Sequence, residues 1–236
     1  MVPAIRIVLV RVRNPLNIGA VARAMANFGL PELVLVDPYD PAWREARSAR
    51  AGTEVLQHAR AVASLSEAVG DCGCVIGTTA GTARSPEIPL EDWPTVAASL
   101  PPAAPDRPVA LLFGSERTGL AVEEISYCHR LARIPTLPDA PSMNLGQAVA
   151  VCAYELHRQP ANAPLPLPSL TVEERERLLA TWYPLLEQLG VVPPGHRQSQ
   201  TRMLRRMVSR WQLGPEDQYR LLGVARQVRR LLRGAE

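Results

Sequence analysis

Short runs of apolar residues alternate, over the first two thirds of the chain, with longer stretches in which apolar positions recur every three or four residues. The short runs predict β-strands followed by turns, and they cover 5–12, 33–37, 74–79, 109–113 and 131–134. The longer stretches predict helices, and they cover 17–28, 53–69, 121–128 and 144–159. Strands that are apolar at nearly every position are typical of a sheet buried on both faces. We therefore expect an α/β fold with a parallel sheet and helices on both of its faces.

A proline-rich segment separates this region from a smaller helical one. Residues 160–169 contain four prolines, which exclude a helix interior and predict a stiff linker. Three helical patterns follow the linker, at 171–189, 198–211 and 215–233. We therefore expect a larger α/β domain over residues 1–159, a linker over 160–169, and a helical C-terminal region over 170–236.

The composition fits a soluble globular protein. Hydrophobic residues make up 47% and charged residues 21% of the 236 residues. No apolar run reaches the roughly 18 residues that a membrane span needs. Arg6, Arg11 and Arg13 interrupt the apolar N-terminus, which indicates a first strand rather than a signal peptide. We therefore expect a cytoplasmic protein with no membrane association.

The four cysteines give no indication of a metal site. No Cys-x-x-Cys motif occurs, and no histidine lies at ligand spacing from Cys72 and Cys74. Buried and reduced thiols are the better interpretation for these two and for Cys128 and Cys152. We therefore predict that the protein holds no metal.

Positive charge is concentrated in the C-terminal region. Residues 1–164 carry 14 Arg and 16 acidic residues, whereas residues 165–236 carry 12 Arg and 7 acidic residues, a net charge of +5. The last predicted helix places a basic stripe beside its apolar one, formed by Arg226, Arg229, Arg230 and Arg233. Such a distribution indicates a polyanionic partner such as RNA, although a solvated helical face would give the same pattern.

Polar residues cluster where three of the predicted strands end. Asn17 and Arg23 follow the first strand, Glu116 follows the fourth, and Ser142 and Asn144 follow the fifth. Ligands of open α/β sheets bind at the carboxyl ends of the strands, so these five residues are expected to meet in one crevice. Taken singly, Asn17, Ser142 and Asn144 fit helix caps, and Arg23, which lies off the apolar stripe of its helix, fits a surface residue.

Two other classes of protein explain these features less well. A nucleotide- or NAD-binding enzyme shares the fold class, but the chain has neither a G-x-G-x-x-G motif nor a P-loop. A non-catalytic RNA-binding protein would account for the basic C-terminal region, but it leaves the polar residues at the strand ends without a purpose.

The three segments resemble the three motifs of the SpoU branch of the SPOUT RNA 2′-O-methyltransferases. The matching residues are Asn17, Arg23, Phe28 and Gly29 in the first motif, Phe113, Gly114, Glu116 and Gly119 in the second, and Ile134, Pro135, Ser142, Met143 and Asn144 in the third. The resemblance covers about residues 5–158. Within the family, the layout and the Arg-Asn-Pro-x-Asn-x-Gly segment are most similar to the TrmJ subgroup, which methylates the ribose at position 32 of the tRNA anticodon loop.

The resemblance implies a trefoil-knotted α/β fold, a homodimer, and transfer of a methyl group from S-adenosylmethionine to a ribose hydroxyl of tRNA, with ribosomal RNA as the alternative substrate. It implies a cofactor site formed by Thr79, Ala80, Gly81, Gly114, Ile134, Ser142 and Met143. It implies catalytic roles for Arg23, Asn17, Glu116, Ser142 and Asn144. Arg23 would also contact RNA, either as a base or as a clamp on the neighbouring phosphate. A guanidinium with a pKa above about 12 makes the clamp physically easier.

Overall fold

The computed structural model describes residues 4–48, 53–81, 88–100, 106–159, 170–193, 197–211 and 213–233. Within these ranges the chain forms seven strands, which are β1 (Ile5–Val10), β2 (Glu32–Val36), β3 (Arg60–Val62), β4 (Cys74–Thr78), β5 (Leu90–Asp92), β6 (Val109–Phe113) and β7 (Arg130–Arg133). The same ranges contain ten helices, which are α1 (Pro15–Asn27), α2 (Asp40–Ser48), α3 (Thr53–His58), α4 (Leu65–Val69), α5 (Trp93–Ala98), α6 (Val122–Ile125), α7 (Leu145–Arg158), α8 (Val172–Gln188), α9 (Arg197–Arg210) and α10 (Pro215–Arg233).

The strands form one parallel sheet in the order β3-β2-β1-β6-β4-β7-β5. Strand β1 lies inside the sheet and is buried along its whole length. Its side chains alternate between two hydrophobic cores: Ile7 and Leu9 pack in the core beneath α1 and α7, and Val8 and Val10 pack in the core on the opposite face. The predicted parallel sheet, covered on both faces, is therefore confirmed. The trefoil knot stays a prediction, because strand order and register do not define how the chain threads.

The prediction of one helix over 53–69 is wrong. The chain forms α3, then the edge strand β3 beside β2, and then α4. Ser64 begins α4 as its N-cap and accepts a hydrogen bond from the backbone N–H of Glu67. The periodicity missed this break because the apolar spacing of two short helices in succession can match that of one long helix. The apolar residues of α3 nevertheless pack in the core beneath α1 and α7, and those of α4 pack in the core on the opposite face. The periodicity also missed β5, α2 and α5, and α6 is shorter than the predicted 121–128.

The three C-terminal helices form a small core of their own and also pack against the α/β domain. Leu178, Leu204 and Val208 lie in the separate core. Val172, in the first turn of α8, is 2% exposed and belongs to the core on one face of the sheet. The predicted linker, 160–169, lies outside the described residues. The division into two domains therefore stays a prediction, and contacts cross the boundary between them.

Arg205 of α9 is the main polar contact between the C-terminal helices and the α/β domain. It makes two hydrogen bonds to Glu176 of α8, at 2.6 and 2.9 Å. It also donates to Glu123 of α6 at 3.0 Å and to the Ser126 hydroxyl at 2.7 Å, and its guanidinium lies 4.0 Å from the centre of the Tyr127 ring. Part of the positive charge of the C-terminal region is therefore paired within the molecule.

The cysteines are free and buried, as predicted. Burial raises the pKa of the Cys74 thiol to about 11, so at neutral pH this residue is an unreactive, uncharged thiol. Among the helices that the structure describes, none has the length and apolar character needed to cross a membrane.

Candidate active site

Helix α1 begins two residues before the predicted start, which frees Asn17 for another role. The N-cap is Asn14, whose side chain accepts a hydrogen bond from the backbone N–H of Leu16 at 2.9 Å, and Pro15 occupies the first helical position. The prediction that Asn17 caps this helix is therefore wrong. Asn17 lies inside the first turn and is buried, with 9% of its surface exposed.

A chain of hydrogen bonds joins the three polar segments. The Asn17 amide nitrogen donates to Glu116 Oε1 at 2.7 Å, and the Asn17 amide oxygen accepts from Asn144 Nδ2 at 3.0 Å. These contacts bridge 99 and 127 positions of sequence. Because the Asn17 amide donates to Glu116 and accepts from Asn144, its orientation is fixed. The hydrogen bond to Asn17 in turn holds the Glu116 carboxylate in place.

Asn144 also begins α7, as predicted. Its side-chain oxygen accepts from the backbone N–H of Gly146 at 2.9 Å. Gly146 lies against α1, where a β-carbon would come within 2.6 Å of the Ala20 methyl group. The two helices that carry Asn17 and Asn144 therefore cross at a distance that only glycine permits.

The loop after β6 is folded tightly on itself. Ser115 pairs with Gly119 through a 2.8 Å backbone hydrogen bond, and the hydroxyl groups of Ser115 and Thr118 lie 2.8 Å apart. A β-carbon on Gly114 would come within 2.1 Å of the Gly119 carbonyl carbon, so this position has no room for a side chain. Gly119 itself has a φ of 65°, which glycine adopts without strain.

These loops enclose a cavity of about 620 Å³ at the carboxyl end of the sheet. Its lining includes every predicted cofactor residue, namely Thr79, Ala80, Gly81, Gly114, Ile134, Ser142 and Met143. Asn17, Glu116 and Asn144 line it as well. The sequence reasoning gave no site role to other lining residues, including Thr78, Arg117, Thr118, Leu120, Ile125 and Leu145. Most of these are neighbours of motif residues, which is the one sequence signal that points to them.

The cavity fits S-adenosylmethionine in size and chemistry. Its volume lies within the range of small-molecule sites, about 300–1,000 Å³. The apolar side chains of Leu120, Ile125 and Ile134 offer a surface for a flat base, and the loops offer backbone donors and acceptors for its edge. The carboxylate of Glu116 gives the lining an anionic group.

Arg23 does not line this cavity. It is exposed on α1 and makes no hydrogen bond or ion pair with the residues that the structure describes. It belongs to an exposed stripe of α1 with Leu16, Ala20 and Asn27. Beside it, α7 exposes a similar stripe formed by Gln147, Val151, Tyr154 and Arg158. The expectation that all five polar residues share one crevice within a single chain is therefore wrong for Arg23.

The predicted RNA-binding arginines lie away from the cavity, on α10. Arg226, Arg229 and Arg230 are exposed, and the Arg226 guanidinium lies 5.9 Å from the centre of the exposed Tyr219 ring. Arg233 is the last residue of α10. Arg226, Arg229 and Arg230 do not line the cavity at the end of the sheet.

Comparison with known proteins points to one group of methyltransferases. The model of the SpoU rRNA methylase family matches residues 4–154. A protein of Pectobacterium atrosepticum named tRNA (cytidine/uridine-2′-O-)-methyltransferase TrmJ is 36% identical, over 89% of this chain and 90% of its own length. The Pseudomonas aeruginosa tRNA (cytidine/uridine/adenosine-2′-O-)-methyltransferase TrmJ is 32% identical, over 99% of this chain and 97% of its own. The crystal structure of TrmJ from Z. mobilis ZM4 superposes with a TM-score of 0.80 at 30% identity, covering 97% of this chain and all of that one.

Proposed function

Because the chain belongs to the SpoU rRNA methylase family, we propose that it transfers a methyl group from S-adenosylmethionine to a ribose 2′-hydroxyl of tRNA. The observation that carries this proposal is the hydrogen-bond chain from Asn144 through Asn17 to Glu116. It ties all three motifs of a 2′-O-methyltransferase to the wall of one cavity of suitable size.

The residues of the cavity would bind and orient the cofactor, and Arg23 would stabilise the charge that develops on the reacting ribose oxygen. Bound S-adenosylmethionine supplies an electrophilic methyl group. Backbone groups near Thr79, Gly114 and Ile134 would bind the adenine, and the Asn17–Glu116 pair keeps the cavity wall in one geometry. The guanidinium of Arg23 would clamp the phosphate beside the target ribose and stabilise the negative charge that develops on the 2′-oxygen, whose proton is released to water.

Transfer RNA is a better substrate than ribosomal RNA for this chain. The family model ends at residue 154, before the three C-terminal helices. The relatives named as tRNA methyltransferases match over 89–99% of the chain, so their similarity extends into those helices. We place the target at position 32 of the anticodon loop, as the resemblance to the TrmJ subgroup implies. A tRNA-modifying role also implies the cytoplasm as the site of action.

A homodimer completes the site. The exposed stripes of α1 and α7 carry Leu16, with 77% of its surface exposed, Tyr154, with 56%, and Val151, with 38%. Helices α1 and α7 pack against each other, so these exposed apolar side chains lie on one face of the molecule, and such a face favours a contact with another chain. Pairing of this face with the same face of a second copy buries them and brings the partner's arginine, the equivalent of Arg23, towards the cavity.

We expect one S-adenosylmethionine per subunit to bind in the cavity, and neither NAD nor ATP. The chain lacks the glycine-rich phosphate loops of both nucleotide classes, whereas the cavity offers backbone groups and apolar contacts for an adenosyl group. Titration calorimetry with the three ligands measures this. Tight binding of NAD without detectable binding of S-adenosylmethionine would overturn the proposed function.

Deletion of the gene should remove one ribose methylation from tRNA, at position 32, and leave ribosomal RNA unchanged. Mapping of 2′-O-methyl groups in total RNA from the parent and the deletion strain measures both classes at once. Restoration by the intact gene is the control. Loss of a methyl group from ribosomal RNA with tRNA unaffected would favour the alternative substrate.

A further inference from the structure

Arg11 has an unusual backbone conformation at the carboxyl end of β1. Its φ is 54°, in the left-handed region that residues with a side chain rarely adopt. Its backbone N–H nevertheless donates to Val36 at 2.9 Å, so the strained residue is held in the sheet. Strain of this kind persists only where surrounding contacts stabilise it, and it is often found at functional sites.

The side chain of Arg11 contacts the loop after β6 in two places. One terminal nitrogen forms an ion pair with Glu124 of α6, and the other makes a long hydrogen bond of 3.5 Å to the Gly119 carbonyl oxygen. The second oxygen of Glu124 accepts from the backbone N–H of Ala121 at 2.6 Å. Arg11 therefore contacts the loop at Gly119, and Glu124, its ion-pair partner, contacts the end of the loop at Ala121.

This loop is the one that carries Glu116 into the cavity. Residues 114–120 all line the cavity, whereas Arg11 and Glu124 do not. Glu124 has only 10% of its side chain exposed, and Arg11 has 33%, so the pair lies beneath the loop and is poorly screened by water. Removal of Arg11 would leave a buried carboxylate with one charged partner fewer.

We infer that Arg11 is a positioning residue for cofactor binding, which acts through Glu124 and the loop of residues 114–121. The inference rests on the proposed function, because it takes the cavity to be the S-adenosylmethionine site. The planar guanidinium suits this role because its fork reaches Glu124 and Gly119 with separate nitrogens, which a lysine ammonium does not do.

The test compares Arg11→Ala with a matched variant on the same strand. Arg6 is also ion-paired, with Asp71 and Glu32, and is more deeply buried than Arg11, but it lies near the amino end of β1 and does not line the cavity. Both substitutions should lower the melting temperature. Only Arg11→Ala should also weaken binding of S-adenosylhomocysteine, measured by calorimetry, by on the order of tenfold, since a charge-assisted contact holds the loop.

Two further variants and one measurement separate positioning from general loss of stability. Glu124→Gln should weaken S-adenosylhomocysteine binding in the same direction, and Arg11→Lys should lie between wild type and Arg11→Ala. Hydrogen exchange of the ligand-free protein should show faster exchange over 114–121 in Arg11→Ala but not in Arg6→Ala. The affinity for an unmodified tRNA transcript should stay within about twofold of wild type, because neither residue belongs to the basic stripe.

Equal S-adenosylhomocysteine affinity in wild type, Arg11→Ala and Glu124→Gln would overturn the inference. So would an equal loss of affinity in Arg6→Ala, which would mean that any destabilised β1 gives the effect. A wild-type protein that does not bind S-adenosylhomocysteine would overturn the proposed function. Hydrogen exchange of residues 114–121 needs no ligand, so it still tests whether Arg11 holds the loop.

Discussion

Replacement of Arg23 by alanine should lower the turnover of tRNA by about a hundred- to a thousandfold, the usual cost of removing a group that stabilises developing charge. The fold should change little, because Arg23 is exposed and makes no hydrogen bond or ion pair with the described residues. Arg23→Lys should also fail largely, since a point charge does not replace a planar fork. Methyl transfer from labelled S-adenosylmethionine, with circular dichroism as the check on folding, measures the effect.

Arg44→Ala is the matched control for this substitution. Arg44 is also an exposed helical arginine, on α2, and its ion pair with Asp40 is exposed on both sides. Exposed pairs of this kind contribute little to stability, so this variant should keep both its fold and its activity. If Arg23→Ala retains most of the wild-type turnover, Arg23 is an ordinary surface residue.

Mixed dimers show which subunit supplies the arginine. Arg23→Ala and Glu116→Ala protein should each be inactive, and a reassembled one-to-one mixture should regain roughly a quarter of wild-type activity if the arginine acts on the partner's cavity. Half of the dimers are then mixed, and each mixed dimer holds one intact site. If the arginine acts within its own chain, every site in the mixture carries a defect and activity does not return.

Substitution of Arg226, Arg229, Arg230 and Arg233 by glutamine should weaken tRNA binding and reduce its dependence on salt. Each phosphate contact contributes roughly 0.7–0.9 to the slope of log affinity against log salt, so loss of four contacts should flatten that slope by about 3. Binding of S-adenosylmethionine should be unchanged, because Arg226, Arg229 and Arg230 do not line the cavity. Filter binding across a range of salt concentrations measures the slope.

A comparison of two double variants gives the control for this result. Arg226→Gln/Arg230→Gln and Arg44→Gln/Arg60→Gln remove the same charge, but Arg44 and Arg60 lie in the α/β domain and have ion-pair partners there. Only the first pair should lower the salt slope. An unchanged affinity and slope in the fourfold variant would make the stripe on α10 an ordinary solvated surface.

Removal of the whole C-terminal region is a less direct test of RNA binding. It would also remove Val172 from the core of the sheet and the contacts of Arg205 with Glu123 and Ser126. A lower melting temperature after truncation would therefore report lost packing. Point substitutions on α10 avoid this, because they change charge at an exposed surface.

The sequence by itself determined the parallel sheet and indicated the loops that line the cavity. The runs that became β2, β4 and β6 are apolar at nearly every position, and those of β1 and β7 are interrupted by Arg6 and Arg133. Strands that are apolar at nearly every position are typical of a sheet buried on both faces. The motif residues of the second and third segments lie near the strand ends that deliver them, so their meeting at one edge followed from the direction of the strands. The cap of α7 at Asn144 is likewise a local property, which residue type and spacing predict.

Only the tertiary structure decided how distant residues are used. Taken singly, Asn17 fits a helix cap, but Asn14 and Pro15 start the helix earlier, and the Asn17 amide donates to Glu116 across 99 positions. Arg11 and Glu124 carry no local signal, because an ion pair between a strand end and a short helix depends on where the sheet brings the two together. Hydrophobic periodicity records which face of an element is buried, whereas the partner of a polar side chain is set by packing between elements far apart in sequence.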